Sequence, residues 1–257
     1  MTSFKEKLAS GDPVSGPIVG DIRTVGAIKA LANAGHDFVW IDMEHAMIGW
    51  ETLVPLVQFA RLSGITPLVR ATDLSYPLVA RALDAGAIGI IVPRVDNVAR
   101  AEDAVAYSLY PPLGRRGAGG EARYGYERRT PAEGLAEVNA NTVVAIQVET
   151  MTAVEQIDAI AAVPGIDIVC VGPQDLSISL GLTGQFDHPT FVEAVSHVMQ
   201  RVSAAGKVAG MVERDARRFE RWYKAGCRFF ACSSDLNLIY TAASADVATL
   251  NSFTGGT

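Results

Sequence analysis

Two runs in this chain, Ile88-Gly89-Ile90-Ile91-Val92 and Ile166-Asp167-Ile168-Val169-Cys170-Val171, are apolar almost without interruption. A strand with one face in water alternates apolar and polar residues. A strand lacking that alternation must be covered on both faces, as in a parallel sheet flanked by helices. Eight such β-like runs recur along the chain, at 17–19, 38–42, 66–70, 89–93, 143–148, 166–172, 207–211 and 227–233. Between them apolar residues take helical spacing, as in Val25, Ile28, Leu31 and Ala32, or Phe191, Val195, Val198 and Val202. Gly35, Gly64, Gly86, Gly206 and Gly226 follow these stretches, where glycine supplies the left-handed residue that ends a helix.

Eight β runs alternating with helices over 257 residues predict one domain, 1–257, folded as an α/β, (β/α)8 TIM barrel. An open doubly wound sheet does not call for eight evenly spaced strands. The irregular stretch 110–130, rich in Gly, Pro and Arg, is expected to be a loop covering the active site. With 49% hydrophobic and 19% charged residues there is ample material for a core, which excludes disorder. Lys and Arg number 22 against 28 Asp and Glu, a net charge of −6, so nucleic acid is not an expected partner. No apolar run approaches the ~18–20 residues that span a bilayer. Residues 1–8 lack the apolar stretch of a signal peptide, and Cys170, Cys227 and Cys232 sit in apolar runs as buried free thiols. These features together predict a soluble, cytoplasmic protein without a disulfide framework.

In a barrel of this kind, chemistry sits where the strands end at their C-terminal side. The second run ends in Asp42-Met43-Glu44-His45, the third in Arg70, and the fourth in Pro93-Arg94. The fifth ends in Gln147-Val148-Glu149, the sixth in Gly172-Pro173-Gln174-Asp175, the seventh near Val212-Glu213, and the eighth in Ser233-Ser234-Asp235. In a chain so poor in charge, that gathering points to a common centre.

Glu149 and Asp175 end adjacent strands, where two carboxylates can share one divalent cation. Oxygen ligands from water and substrate completing an octahedron suit Mg2+, Mn2+ or Co2+. The alternative is that they pair with Arg70 or Arg94. Gly172 lets the backbone approach a ligand, and the amides of Gln174 and Asp175 open a helix whose N-terminus attracts a carboxylate. A 2-oxo acid could chelate the cation through its keto and carboxylate oxygens while meeting those amides. Arg70 would stabilise the enolate oxygen, unless a structural carboxylate takes it. His45 is placed for proton transfer with Asp42 orienting it, the alternative being a surface histidine. Val212 is assigned to the substrate pocket. His36, His188 and His197 are read as surface residues. Gly117-Ala118-Gly119-Gly120 lacks the strand before and the βαβ unit after that a dinucleotide loop needs. No lysine ends a strand at the catalytic face, which leaves a Schiff-base aldolase without a nucleophile.

Five motifs then carry a resemblance: Ile41-Asp42-Met43-Glu44-His45, Pro67-Leu68-Val69-Arg70, Tyr110-Pro111-Pro112-Leu113-Gly114-Arg115-Arg116-Gly117, Gln147-Val148-Glu149 and Gly172-Pro173-Gln174-Asp175-Leu176-Ser177. Together they resemble the class II, metal-dependent pyruvate aldolases, the group of 4-hydroxy-2-oxoheptanedioate aldolase in the citrate lyase β-subunit-like superfamily. The resemblance covers residues from about 17 to about 250. It implies a (β/α)8 barrel and a homohexamer, a dimer of trimers whose last helix is exchanged between neighbours. It also implies Glu149 and Asp175 as metal ligands, Arg70 as the enolate-stabilising arginine, His45 and Asp42 as the dyad near the aldehyde, and Gln147 in the site. Gln174 stands where relatives often have a small residue. Val19, Val212 and Ser233-Ser234-Asp235 differ from well-known relatives, which bears on the aldehyde more than on the donor. The expected activity joins or splits a 2-oxo acid donor, pyruvate or hydroxypyruvate, and an aldehyde. A CoA-ester lyase of the same superfamily is the alternative, with Arg115, Arg116, Arg123, Arg128 and Arg129 as the only phosphate-binding candidates.

Overall fold

The computed structural model describes residues 3–253. Eight parallel strands close into a barrel in sequence order: β1 (Val14–Val19), β2 (Phe38–Asp42), β3 (Thr66–Arg70), β4 (Gly89–Val92), β5 (Val143–Val148), β6 (Ile168–Val171), β7 (Val208–Glu213) and β8 (Cys227–Ser234). Helices cover the outside, and the eighth strand returns to pair with the first. The TIM barrel expected from the eight runs is therefore the observed architecture. Among the described residues no helix is long and apolar enough to cross a membrane.

Side-chain alternation along each strand sorts residues into two cores. Val39, Ile41, Val69, Val144 and Ile146 point outward and pack beneath the helices. Phe38, Trp40, Leu68, Ile91, Val143, Ala145, Cys170 and Phe229 point inward and fill the barrel. Phe38 and Phe229 stack at 4.3 Å between ring centroids, and the short helix Phe4–Ala9 closes the lower end with Phe4 and Leu8. Gly16 admits this packing, because a Cβ there would strike the carbonyl of Phe38.

Five strands differ in their limits from the runs: β4 and β8 by one residue at the C-terminal end, β7 by running Val208–Glu213 in place of 207–211, and β1 and β6 by more. β1 begins at Val14, ahead of the 17–19 run, because Val14-Ser15-Gly16 pairs with β8 despite its weak apolar pattern. β6 shortens to Ile168–Val171, and Asp167 just before it bonds to Val144 through both its N–H and its carboxylate. A larger correction concerns 110–130. That loop packs against Asp84, Gly86 and Arg61, beside the residues that lead into β4 and β5. It lies at the N-terminal end of its own barrel and does not cover that barrel's strand C-termini.

Candidate active site

The inward-facing parity of the apolar core continues to the strand C-termini, where it becomes polar. Asp42 follows Phe38 and Trp40, Arg70 follows Leu68, and Gln147 and Glu149 follow Val143 and Ala145. Asp42 and Arg70 are register partners, as are Gln147 and Cys170. Asp42, Arg70, Gln147 and Glu149 are all buried. The uppermost layer of the barrel interior is thus made of charged and amide groups.

Arg70 is held on three sides. Its Nε and Nη2 donate to the two oxygens of Asp42 at 2.9 and 2.6 Å, a bidentate pair. Nη1 donates to Gln147 Oε1 at 3.3 Å, and the guanidinium sits 5.4 Å from the Trp40 ring centroid. Burial pushes the Asp42 carboxyl up, but hydrogen bonds and charge from Arg70, with the N–H groups of Glu44 and His45, hold it below its ordinary value.

Asp42 meets His45 through the backbone, accepting the N–H groups of Glu44 at 2.9 Å and His45 at 3.4 Å. The turn so formed carries the His45 ring out to the cleft, its side chain 58% exposed, with Nε2 3.7 Å from Glu44 Oε2. The expected orientation of His45 by Asp42 is thus exerted on the main chain, and the carboxylate nearest the ring is that of Glu44.

Glu44 is the residue that sequence reasoning passed over. Its Oε2 is ion-paired with Arg70 Nη1 at 3.0 Å, outside hydrogen-bond geometry, and its Oε1 lies 3.6 Å from Arg94 Nε. Burial raises its pKa against the lowering effect of those cations. The signal was present in Asp42-Met43-Glu44-His45, but strand alternation alone puts Glu44 on the same side as Asp42 without showing that the chain has already turned.

Glu149 is 4% exposed and accepts Gln147 Nε2 at 3.0 Å on one oxygen and the Arg94 N–H at 3.1 Å on the other. Arg94 presents that N–H from a left-handed backbone, φ 55°, sparsely populated for a residue with a side chain. Burial first, then the negative charges of Glu44 and Asp175, push the Glu149 carboxyl up to about 7. Gly172 lies directly against it: a Cβ there would stand 2.7 Å from Glu149 Cγ. Gln174 and Asp175 are exposed in the first turn of the helix Pro173–Ser179, so their N–H groups have no acceptor within that helix.

These groups share a cleft of about 580 Å3 whose walls include His45, Arg70, Gln147, Glu149, Asp175 and Val212. Gly172 and Gln174 also line it, so every substrate-binding residue expected from the sequence borders the cleft, while Asp42, expected as catalytic, lies behind Arg70. His45 also borders a side cleft with Glu44, Thr72, Asp73 and Arg94. Two strand-end acids serve the scaffold. Asp235 Oδ2 accepts the N–H groups of Gly20, Asp21 and Ile22, and Glu213 accepts Trp222 Nε1 at 2.8 Å.

A parallel barrel with ionisable side chains gathered at its strand C-termini is the build of a barrel enzyme. The HpcH/HpaI aldolase/citrate lyase family profile matches residues 24–242. A 5-keto-4-deoxy-D-glucarate aldolase of Shigella boydii serotype 18 is 36% identical over 217 residues, 83% of each chain. An HpcH/HpaI aldolase from Desulfitobacterium hafniense DCB-2 superposes with a TM-score of 0.92 at 32% identity, over 98% of this chain and 97% of its own. The citrate synthase SbnG gives 0.88, also at 32% identity, over 99% and 100%. The chain belongs to the HpcH/HpaI aldolase/citrate lyase family and is a carbon–carbon lyase. The family resemblance seen in the five motifs is borne out.

Proposed function

We propose that this enzyme is a divalent-metal-dependent aldolase that makes and cleaves the bond between a 2-oxo acid, pyruvate or hydroxypyruvate, and an aldehyde. One observation carries the reading: the Glu149 and Asp175 carboxylates open onto the same cleft as the immobilised guanidinium of Arg70. The donor set suits Mg2+, Mn2+ or Co2+. It is all oxygen, and each Glu149 oxygen accepts a single protein hydrogen bond, which leaves lone pairs free for a cation. Glu149 and Asp175 would hold the cation. When bound, it acts as a Lewis acid that draws electrons from the keto group.

The protein's own groups supply the remainder. The amide N–H groups of Gln174 and Asp175 donate to the substrate carboxylate, and Gly172 leaves room for it beside Glu149. Arg70, clamped along one edge by Asp42, presents Nη1 to the oxygen that becomes negative in the enolate, and its fixed position avoids reorganisation. Gln147 holds both Arg70 and Glu149 through its amide oxygen and nitrogen. His45, exposed on the rim, moves the proton at the aldehyde oxygen. Val212 supplies apolar wall.

The helix Asp235–Phe253 supports a multimer, the homohexamer with exchanged last helices. It leaves Ile239, Tyr240, Leu250 and Phe253 exposed at 55%, 73%, 63% and 76%. An apolar face of that kind is covered by another subunit in a stable assembly. The CoA-ester lyase reading loses its support, because Arg116, Arg123 and Arg129 line a cavity at the other end of the barrel from Glu149.

The test is proton exchange. Pyruvate with Mg2+ or Mn2+ in D2O should lose its methyl signal by NMR in the presence of the enzyme. A chelator, or Glu149→Ala, should abolish the loss. Absence of exchange with every divalent metal, from well-folded protein, would refute the proposal.

A further inference from the structure

We infer that the N-terminal end of the barrel carries a second binding site, built on Arg116 and Arg123, for a small oxyanion such as phosphate or a carboxylate. The loop between Ser108 and the helix Pro131–Asn141 folds over the entries to β4 and β5 and borders a half-open cavity of about 220 Å3. Arg61, Arg116, Arg123, Tyr124 and Arg129 line it, with Glu127 and Glu137 as the acids facing them.

The cavity is lined by donors that lack acceptors. Arg116 is 3% exposed; Nη2 meets Asp84 at 2.6 Å, while Nε is buried with no hydrogen bond. Arg123 has both Nε and Nη1 buried and unpartnered, and among the described residues no carboxylate pairs with it. The hydroxyls of Tyr110 and Tyr124 are buried and unpartnered as well. Both guanidiniums lie over Tyr110, at 4.7 and 5.6 Å, and Arg123 also lies 4.4 Å over Tyr124. Ring faces offset part of that charge but accept no ordinary hydrogen bond.

Ion pairing leaves positive charge over. Arg129 is taken by Glu127 at 2.8 Å and Glu137 at 3.4 Å, and Asp84 by Arg116. Arg61 spends Nη1 on the carbonyls of Gly86, Ala122 and Arg123, so it and Arg123 keep their charges without an ion pair among the described residues. Buried polar groups in folded proteins almost always find partners, so three N–H groups and the Tyr124 O–H left open on residues that line this space call for a ligand. An acceptor-only ligand meets all of them, which a cation or a donor-rich sugar does not. At roughly 30 Å3 per water, the space admits one tetrahedral oxyanion with a few waters. It is smaller than the ~300 Å3 lower bound of drug-sized pockets, which excludes a nucleotide.

The site is tested by isothermal titration of the full-length enzyme with inorganic phosphate, sulfate and succinate, at ionic strength held constant with sodium chloride. We expect one anion per chain, bound at least tenfold more weakly by Arg123→Met and unaffected by Arg70→Lys, which reports on the other end of the barrel. Arg123→Met should keep metal-dependent proton exchange within twofold of the wild type, showing that it folds. Should it fail to fold, Arg123→Lys, which keeps the charge but not the fork, should lose several-fold in affinity. Preference for phosphate or for succinate identifies the ligand's source chemistry. Binding that follows Arg70 instead of Arg123, equal affinity in both Arg123 variants and the wild type, or no anion bound better than chloride, would each overturn the proposal.

Discussion

Gly172→Ala is the sharpest perturbation the site offers, because it adds one methyl group and alters no charge. The backbone at Gly172 has φ −89° and ψ 96°, open to any residue, so alanine brings no conformational penalty of its own. The added Cβ would stand 2.7 Å from Glu149 Cγ and 3.0 Å from its Cδ, where ordinary contact begins at 3.4 Å. Glu149 Oε1 lies nearer still, so the side chain must retreat by about 1 Å, enough to stretch its 3.0 and 3.1 Å hydrogen bonds from Gln147 and Arg94 beyond bonding range. Overpacking of this sort costs about 1–3 kcal/mol. Displacing a proposed metal ligand and its two supports should lower metal affinity by ~10–100-fold. Calorimetric titration with Mn2+ measures that loss, and exchange at saturating Mn2+ separates it from misplacement of the substrate. Gly26→Ala is the control: it lies in the helix Val25–Asn33 with nothing within 4 Å and should leave both measurements unchanged. Wild-type Mn2+ affinity in Gly172→Ala would contradict the assignment of Glu149.

His45→Ala should slow carbon–carbon cleavage at least ~100-fold, in the range of general acid–base contributions, while donor proton exchange falls only a few-fold. Equal losses in both assays would remove His45 from the aldehyde side. Asp42 gives a pH dependence of known sign. Its carboxyl is held below its ordinary value of ~3.9, so its contribution is fully present above about pH 4 and disappears as pH falls through the lowered value. Urea unfolding from pH 6 to pH 2 should show wild type losing its advantage over Asp42→Asn; a gap that stays constant throughout would contradict this. Deleting residues 236–257 should convert the proposed hexamer to smaller species in sedimentation velocity. An unchanged sedimentation coefficient per assembled mass would show that the exposed helix is not the contact.

The barrel could be read in the sequence because a strand covered on both faces leaves a mark that no other environment leaves. Ile88-Gly89-Ile90-Ile91-Val92 has that mark, whereas Val14-Ser15-Gly16 lacks it, so the pattern predicts a β1 shorter than the one formed. Strand-end residues were legible for the same reason: with so little charge in the chain, Arg70, Glu149 and Asp175 stand out where apolar runs stop. Function within that group was less legible. Asp235 and Glu213 are strand-end acids like Glu149, but a turn of backbone N–H groups takes one and an indole takes the other. Which acid is left for chemistry depends on partners more than 200 residues apart in one case, and one-dimensional spacing does not contain that. The loop 110–130 was misplaced because composition predicts irregularity, while the end of the barrel it covers follows from its lying between a helix and the next strand.

Charge in the barrel mouth explains why these partners are arranged as they are. Asp42 and Glu149 are buried around the buried guanidinium of Arg70, with Glu44 half-buried beside it and Asp175 close enough to raise Glu149 further. Asp42 takes the Nε–Nη2 edge of that guanidinium, leaving the other acids to share Nη1. Burying unpaired charge is expensive, and hydrophobic replacements of such groups commonly stabilise a protein. Here the excess falls on Glu44 and Glu149, whose carboxyls are pushed up, and spares Asp42, whose carboxyl is held down. A site selected only for stability would distribute its cation evenly. This one secures a single arginine firmly and leaves acid beside it unsatisfied, the arrangement a proposed cation and an oxygen-rich substrate would complete.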